Sequence, residues 1–278
     1  MTEPNRQSGE NEERIIEIEI ERLRPFKEHP FQVEDDKEMF LLQESIEKYG
    51  ILNLLIVRPV PDGYYEIISG HRRKHAAEKL GYRKVPVIIR VLSEDDSILS
   101  MVDSNLHRER ISYSEKAFAY KLKNDVLKRK SGRKKSQVDH KTPRKRSIDI
   151  ISEDCGDSPK QVQRYISLTK LIPEMLQKLD DEIISFCPAV EIAALKENEQ
   201  RELLKAMDYA QAIPSLSQAQ RIKQLSKEKQ LSLEKMEEIM ELCPDISKVT
   251  VERILTNLVK SGYIAKVGAG PSTGYVRV

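Results

Sequence analysis

The spacing of apolar residues changes once along this chain, near Ser93, and that change restricts the folds open to it. Before it, short runs alternate with the period of two that a half-buried strand requires; after it, the period is helical. In IIEIEIERL, Ile16, Ile18 and Ile20 alternate with Glu17, Glu19 and Glu21, which predicts a first strand starting near Arg14. Leu42, Ile46 and Tyr49 then fall at helical spacing between residues 36 and 49, and Gly50 suits the left-handed residue that ends a helix. LLIVRPV and YYEIIS flank Pro61-Asp62-Gly63, a turn sequence between two β-rich runs, and predict a hairpin. A helix over residues 71–80, closed by Gly81, leads into a further strand, VPVIIRV. The first hundred residues are therefore expected to mix α and β.

Beyond Ser93, Ile98, Val102 and Leu106 space one helix, and Phe118, Leu122 and Val126 the next. Residues 128–146 (KRKSGRKKSQVDHKTPRKR) carry ten Lys or Arg against one acid, Asp139, and with Gly132 and Pro143 they read as a basic loop. Short helices punctuated by Pro173, Pro188 and Pro214 continue to about residue 240. The charged fraction of 33% and the absence of Trp describe a helix-rich, well-solvated protein with aliphatic cores. A net charge of +2 decides nothing about nucleic acid, so the distribution of charge must. Cys155, Cys187 and Cys243 form no C-x-x-C pair, which argues against a disulfide framework or thiolate zinc site and fits a reducing cytoplasm. The polar residues 1–13 read as a disordered tail without a signal-peptide core, and no run approaches the roughly 18 apolar residues of a membrane span.

Two motifs carry chemistry. The first is Gly70-His71-Arg72-Arg73-Lys74-His75-Ala76, where a strand runs into a helix. Glycine allows close backbone approach, a helix N-terminus offers unpaired N–H groups, and adjacent arginines can fork onto phosphate oxygens. An exposed basic first turn on an ordinary helix is the plainer alternative. His71 and His75 share a helix face, as metal-ligating pairs do, and His107 could approach them. Arg72, Arg73 and Lys74 place positive charge beside any such cation, so no metal site is expected.

The second motif is SIDIISEDCGDSPKQVQRYISLTKL, residues 147–171. Ser147 can cap a helix carrying Ile148, Ile151 and Cys155 on one face, and Gly156 supplies a turn. Ser158-Pro159-Lys160-Gln161 is a helix-start signal. Val162, Tyr165, Ile166 and Thr169 form the expected inward stripe. Lys160, Gln163, Arg164 and Ser167 lie on the opposite face with Gln161 at its flank, side chains suited to base edges and phosphates. This reads as a DNA-binding helix-turn-helix, with an ordinary solvated helical hairpin as the alternative. The neighbouring basic loop, including Lys134 and Lys135, would supply sequence-independent affinity.

The run from the strand through SGHRRKHAAEKLG and VPVIIRVL to SNLHRERIS resembles the N-terminal domain of ParB-family partition proteins, where G-E-R-R-x-R-A is followed by E-N-x-x-R. The resemblance spans about residues 14–195. It implies a sulfiredoxin-like α+β domain whose Gly70, Arg72 and Arg73 face the phosphates of CTP, with Asn105 and Arg108 helping to hold nucleotide and Mg²⁺. His71 stands where the family has Glu, His75 where it has Arg, and Ser104 where it has the Glu before Asn. Both family acids are thus replaced, and Asp103 is turned from the second position by about 100°. CTP hydrolysis is accordingly less expected than CTP binding. The resemblance further implies double-stranded DNA as partner, a Walker-type partition ATPase, a homodimer, and a DNA-associated place in the cytoplasm.

At the C-terminus, Ser247 can cap a helix with Val251, Ile254, Leu255 and Leu258 buried, ended by Gly262, and YIAKV and GYVRV flank GAGPST as a hairpin. Helix then hairpin is winged-helix-like, with Lys248, Arg253, Asn257, Lys260, Lys266 and Arg277 outward. The expected order is a tail (1–13), a ParB-like domain (14–110), an all-α helix-turn-helix domain (111–195) containing the basic loop, a helical linker (196–230) and a winged-helix-like module (231–278). The expected function is sequence-specific DNA binding in partition of a chromosome, plasmid or mobile element, with CTP-dependent switching. The competing readings are a transcription regulator with a vestigial nucleotide fold, or a nuclease or nucleotide-hydrolysing enzyme on the same fold.

Overall fold

The computed structural model describes residues 14–27, 30, 31, 33, 35–106, 108, 111–133, 145–241, 255–267 and 274–277. The chain divides into two compact units, residues 1–169 and 170–278.

The first unit is built on a mixed five-stranded sheet. Its strands are β1 (Arg14–Glu19), β2 (Leu23–Pro25), β3 (Leu55–Pro59), β4 (Tyr65–Ser69) and β5 (Lys84–Ile89), in the order β1-β5-β3-β4-β2. The first strand expected from its alternation pairs antiparallel with β5, placing Ile18 opposite Val85. The expected hairpin is β3 and β4, antiparallel around a 3-10 turn at Pro61–Gly63. Strand alternation sends Ile67 to a core with Ile18, Leu55, Val57 and Ala77, and its neighbour Ile68 to a second core with Phe26, Phe31, Met101 and Val126. The sheet is therefore covered on both faces.

Three helices intervene between strands or follow them. α1 (Lys37–Tyr49) is capped by Asp36 and stopped at Gly50, and α2 (His71–Lys79) begins directly after β4. α3 (Glu94–Leu106) follows β5. Met39 and Ile46 are the buried residues of α1, whereas Tyr49, expected on that stripe, is exposed, with the Lys48 ammonium 5.0 Å from its ring centre.

α4 (Tyr113–Arg133) is followed by α5 (Ser147–Cys155) and α6 (Pro159–Leu168). α4 corrects the expected basic loop: residues 128–133 are helical, Gly132 included. A helix already anchored by buried Ala117, Ala119, Tyr120 and Val126 tolerates a glycine that costs it about 1 kcal/mol. Residues 134–144, with Lys134 and Lys135, lie outside the described residues, as does His107.

The second unit contains α7 (Pro173–Asp180), α8 (Phe186–Ile192), α9 (Glu197–Ala210), α10 (Leu216–Lys227) and α11 (Leu233–Glu241). Two buried glutamines satisfy helix ends that water cannot reach. The Ile172 N–H donates to Gln200 Oε1 at 2.9 Å, while Gln200 Nε2 donates to the Leu195 carbonyl at 3.1 Å. Gln218 Nε2 donates to the Ile239 carbonyl at 2.7 Å. Residues 255–260 are helical and precede the expected hairpin, β6 (Ile264–Val267) antiparallel to β7 (Gly274–Arg277). Ser247, Lys248, Val251, Arg253 and Ile254 lie outside the described residues; Asn257, Lys260, Lys266 and Arg277 are exposed.

Candidate functional site

Two clusters of polar side chains lie in the first unit. One forms where β4 meets α2. Gly70 turns the chain with φ +108°, and an added Cβ would lie 2.9 Å from Leu55 Cγ, so both backbone and space call for glycine here. α2 then starts at His71, putting Arg72 and Arg73 in its first turn. Arg73 Nη1 donates to the Leu54 carbonyl at 2.7 Å and also to that of Asn53. Arg72 forks onto Asp36, with Nη2–Oδ1 at 2.8 Å and Nη1–Oδ2 at 3.2 Å.

Arg108, just beyond the end of α3, lies with its guanidinium 5.6 Å from the Phe31 ring centre. Burial pushes the Arg73 pKa down and the charge of Arg108 adds to the push. Burial likewise lowers Arg108, with Glu115 opposing and Arg72 reinforcing the fall. Guanidinium remains charged at any physiological pH, so Arg108 stands within repelling range of both Arg72 and Arg73. Asp36 at Arg72 and Glu115 near Arg108 offset part of this repulsion, and a further anion would offset more.

Of the other residues expected here, His71 is buried at the start of α2. Asn105 is buried too, and its amide donates to the Met101 carbonyl at 2.7 Å. Ser104 Oγ donates to the same carbonyl at 2.9 Å. His75 turns to Asp35, 3.0 Å away, which Lys79 also holds at 2.5 Å. The structure thus gathers Arg72, Arg73 and Arg108 and turns Asn105 into the fold.

The second cluster seats α5 and α6 against α4. Gly156, at φ +74°, makes the turn between them. Ser158 Oγ accepts from the Gln161 N–H at 3.2 Å and Pro159 occupies the first position, as the sequence indicates. The cap of α5 is Arg146, not Ser147. Arg146 pairs with Asp149 at 2.9 Å, and Ser147 Oγ donates instead to Asn124 Oδ1 at 2.6 Å, tying α5 to α4. Val162, Tyr165 and Leu168 are the buried stripe of α6. Ile166 and Thr169, expected inward, are half-buried; Leu168 replaces them because α4 covers the face three residues on from Tyr165.

Lys160 and Gln163 are exposed, and Gln161 and Arg164 half-exposed. Ser167, expected outward, is half-buried and donates to the Arg164 carbonyl at 2.6 Å. Residues that sequence reasoning missed hold this pair of helices in place. Tyr120 OH donates to Asp157 at 2.6 Å and meets the Tyr165 ring edge-on at 5.7 Å between centres. Lys116 pairs with the same Asp157 at 2.8 Å. Lys123, 3% exposed, bonds Asp103 of α3 at 2.6 Å and Asp154 of α5 at 2.8 Å. The only trace of this in the sequence is a lysine one step from the apolar Leu122.

The first unit is thus a mixed sheet leading into a Gly-His-Arg-Arg helix start, followed by a helical region. Residues 4–106 match the family model described as the ParB N-terminal domain, and this part of the chain carries a domain of that type. It is 26% identical over 278 residues to a nucleoid occlusion protein of Lysinibacillus sphaericus, across 96% of this chain and 86% of that one. A nucleoid occlusion protein of Bacillus mycoides is 35% identical over 136 residues, so this match covers 46% of the chain and 47% of the relative. Among solved structures, Caulobacter crescentus ParB, C-terminally truncated and complexed to the centromeric parS site, matches with 24% identity and a TM-score of 0.44, covering 81% of this chain and 98% of that one. The same truncated protein complexed with CTP-gamma-S matches with 27% identity and a TM-score of 0.32, covering 65% and 92%.

Proposed function

We propose that this protein binds double-stranded DNA sequence-specifically through α5 and α6 as a helix-turn-helix, and binds CTP at the Gly70–Arg73 turn. The observation that carries the first part is the division of α6. Val162, Tyr165 and Leu168 are buried, while Lys160 and Gln163 are exposed on the first turns; Gln163, with Arg164, would meet base edges and Lys160 a flanking phosphate. The relatives' name, nucleoid occlusion protein, supports a role at the nucleoid. Lys134 and Lys135 of the basic segment would add phosphate contacts that raise affinity for any sequence. Partition or nucleoid occlusion would be the cellular process, with a homodimer as the binding unit and a Walker-type ATPase as partner.

The CTP reading rests on Arg72 and Arg73 in the first turn of α2, on the repulsion each receives from or exerts on Arg108, and on the motif match at Gly70, Arg72 and Arg73. Asp103, the nearest acid to the lost family position, is paired with Lys123 and is not offered to a metal. Nucleotide binding is therefore favoured over hydrolysis. Among the described residues no helix is long and apolar enough to cross a membrane.

Selection of binding sites from random duplex DNA, with and without CTP, tests both parts. A single enriched sequence whose retention changes with CTP is the expected result. Retention without any sequence preference would overturn specific recognition, and nicking of plasmid with Mg²⁺ would replace the adaptor by a nuclease.

A further inference from the structure

Arg72 already holds an anion of its own. Both of its terminal nitrogens lie on the Asp36 carboxylate at 2.8 and 3.2 Å, the forked geometry by which a guanidinium takes two phosphate oxygens. Asp36 is not held there by Arg72 alone. Its Oδ1 also accepts the Met39 N–H at 2.7 Å and so caps α1. The carboxylate is fixed by the helix it starts, whether or not Arg72 is present.

We propose that Asp36 is a built-in competitor for the phosphate site, so that a polyphosphate must displace it from Arg72 to bind. This rests on reading Gly70–Arg73 as a phosphate site. Because the α1 cap keeps the carboxylate beside Arg72, it competes as a tethered group at high effective concentration, and it returns without refolding when the ligand leaves. A compact monophosphate, with fewer oxygens to set against the other two arginines, gains less from the exchange than a triphosphate. Asp36 thereby sets both the affinity threshold and the preference for longer phosphate chains. Glu38 also approaches Arg72, but at 3.8 Å and from a more exposed position, too far for a fork.

The test is calorimetric titration of the full chain with CTP and with inorganic tripolyphosphate, for wild type, Asp36→Asn and Glu38→Gln. Asn caps a helix about as well as Asp, so the first variant removes the charge and keeps α1; Asp36→Ser is a second capping variant should Asn disturb folding. For a partly exposed pair, an affinity gain of about fivefold is expected on losing the Asp36 charge. Glu38→Gln should change affinity by less than about twofold. Wild type and Asp36→Asn binding equally would overturn the competitor and leave the phosphate site standing. An equal gain from Glu38→Gln would also overturn it, since a diffuse field would then suffice. No binding by any variant would remove the phosphate site, and the proposal with it.

Discussion

The Lys123 ammonium lies 2.8 Å from the Asp154 carboxylate, and this one ion pair fastens α5 to a lysine that is itself only 3% exposed. The same nitrogen reaches Asp103, so α3, α4 and α5 meet at a single charge. Burial alone would lower the lysine's pKa, but its bonds to Asp103 and Asp154 outweigh that and the net shift is upward. The raised value means that the pair's contribution is complete below the ordinary lysine pKa of about 10.4 and is lost only as pH climbs past the folded value. Replacing Lys123 by Met should destabilise the first unit by about 2 kcal/mol, less than for a fully buried pair because both carboxylates are half-exposed. Urea denaturation followed by circular dichroism measures this, and an unmoved midpoint would refute it.

Tyr120→Phe removes a hydrogen bond to Asp157 while keeping the ring against Tyr165. The expected loss is about 1 kcal/mol, seen as a lower thermal midpoint. The DNA affinity at the working temperature should fall with it if the seat of α6 matters.

Asp157 also predicts an acid limb. Burial pushes its carboxyl pKa up, but the bonds from Lys116 and Tyr120 prevail and hold it below the ordinary value. A depressed pKa gives stability above the unfolded value of about 3.9 that disappears as pH drops through the folded one. Asp157→Asn should therefore lower the midpoint at pH 7, with the difference starting to shrink at about pH 4 and gone once the pH is below the depressed folded value. Parallel melting curves across that range would contradict the assignment.

Two glycines should respond differently to alanine. At Gly70 the left-handed backbone and the 2.9 Å approach to Leu55 combine, so Gly70→Ala should cost about 2–3 kcal/mol. At Gly156 nothing lies within 4 Å, and only the backbone penalty of about 1 kcal/mol remains, which Asn should largely relieve. Thermal shifts of both variants, with tripolyphosphate titration for the first, decide the matter.

On DNA, Lys160→Ala should weaken all sequences alike and reduce the salt slope by about one. Gln163→Ala or Arg164→Ala should instead narrow the gap between preferred and random sequence by about 1–3 kcal/mol. Charge reversal at Lys134 and Lys135 should follow the lysine pattern. Equal loss of specificity from both classes would refute this division of roles, and fluorescence anisotropy over a salt series provides the measurement.

What the sequence determined by itself was local. The strand around Ile18, the Ser158 cap, the Pro61–Gly63 turn and the glycines at 50, 70 and 156 each act through their nearest neighbours and lie where their chemistry places them, although Ile16 of the same alternation is exposed and Ile20 falls in a 3-10 turn beyond the strand. The tertiary structure decided which polar groups meet. Asp36 reaches Arg72 across 36 positions, Tyr120 reaches Asp157 across 37, and Lys123 is buried only because two acids from other helices converge on it. Such pairings leave no period or spacing in the sequence. Their energy depends on burial and distance, and both exist only once the helices have packed.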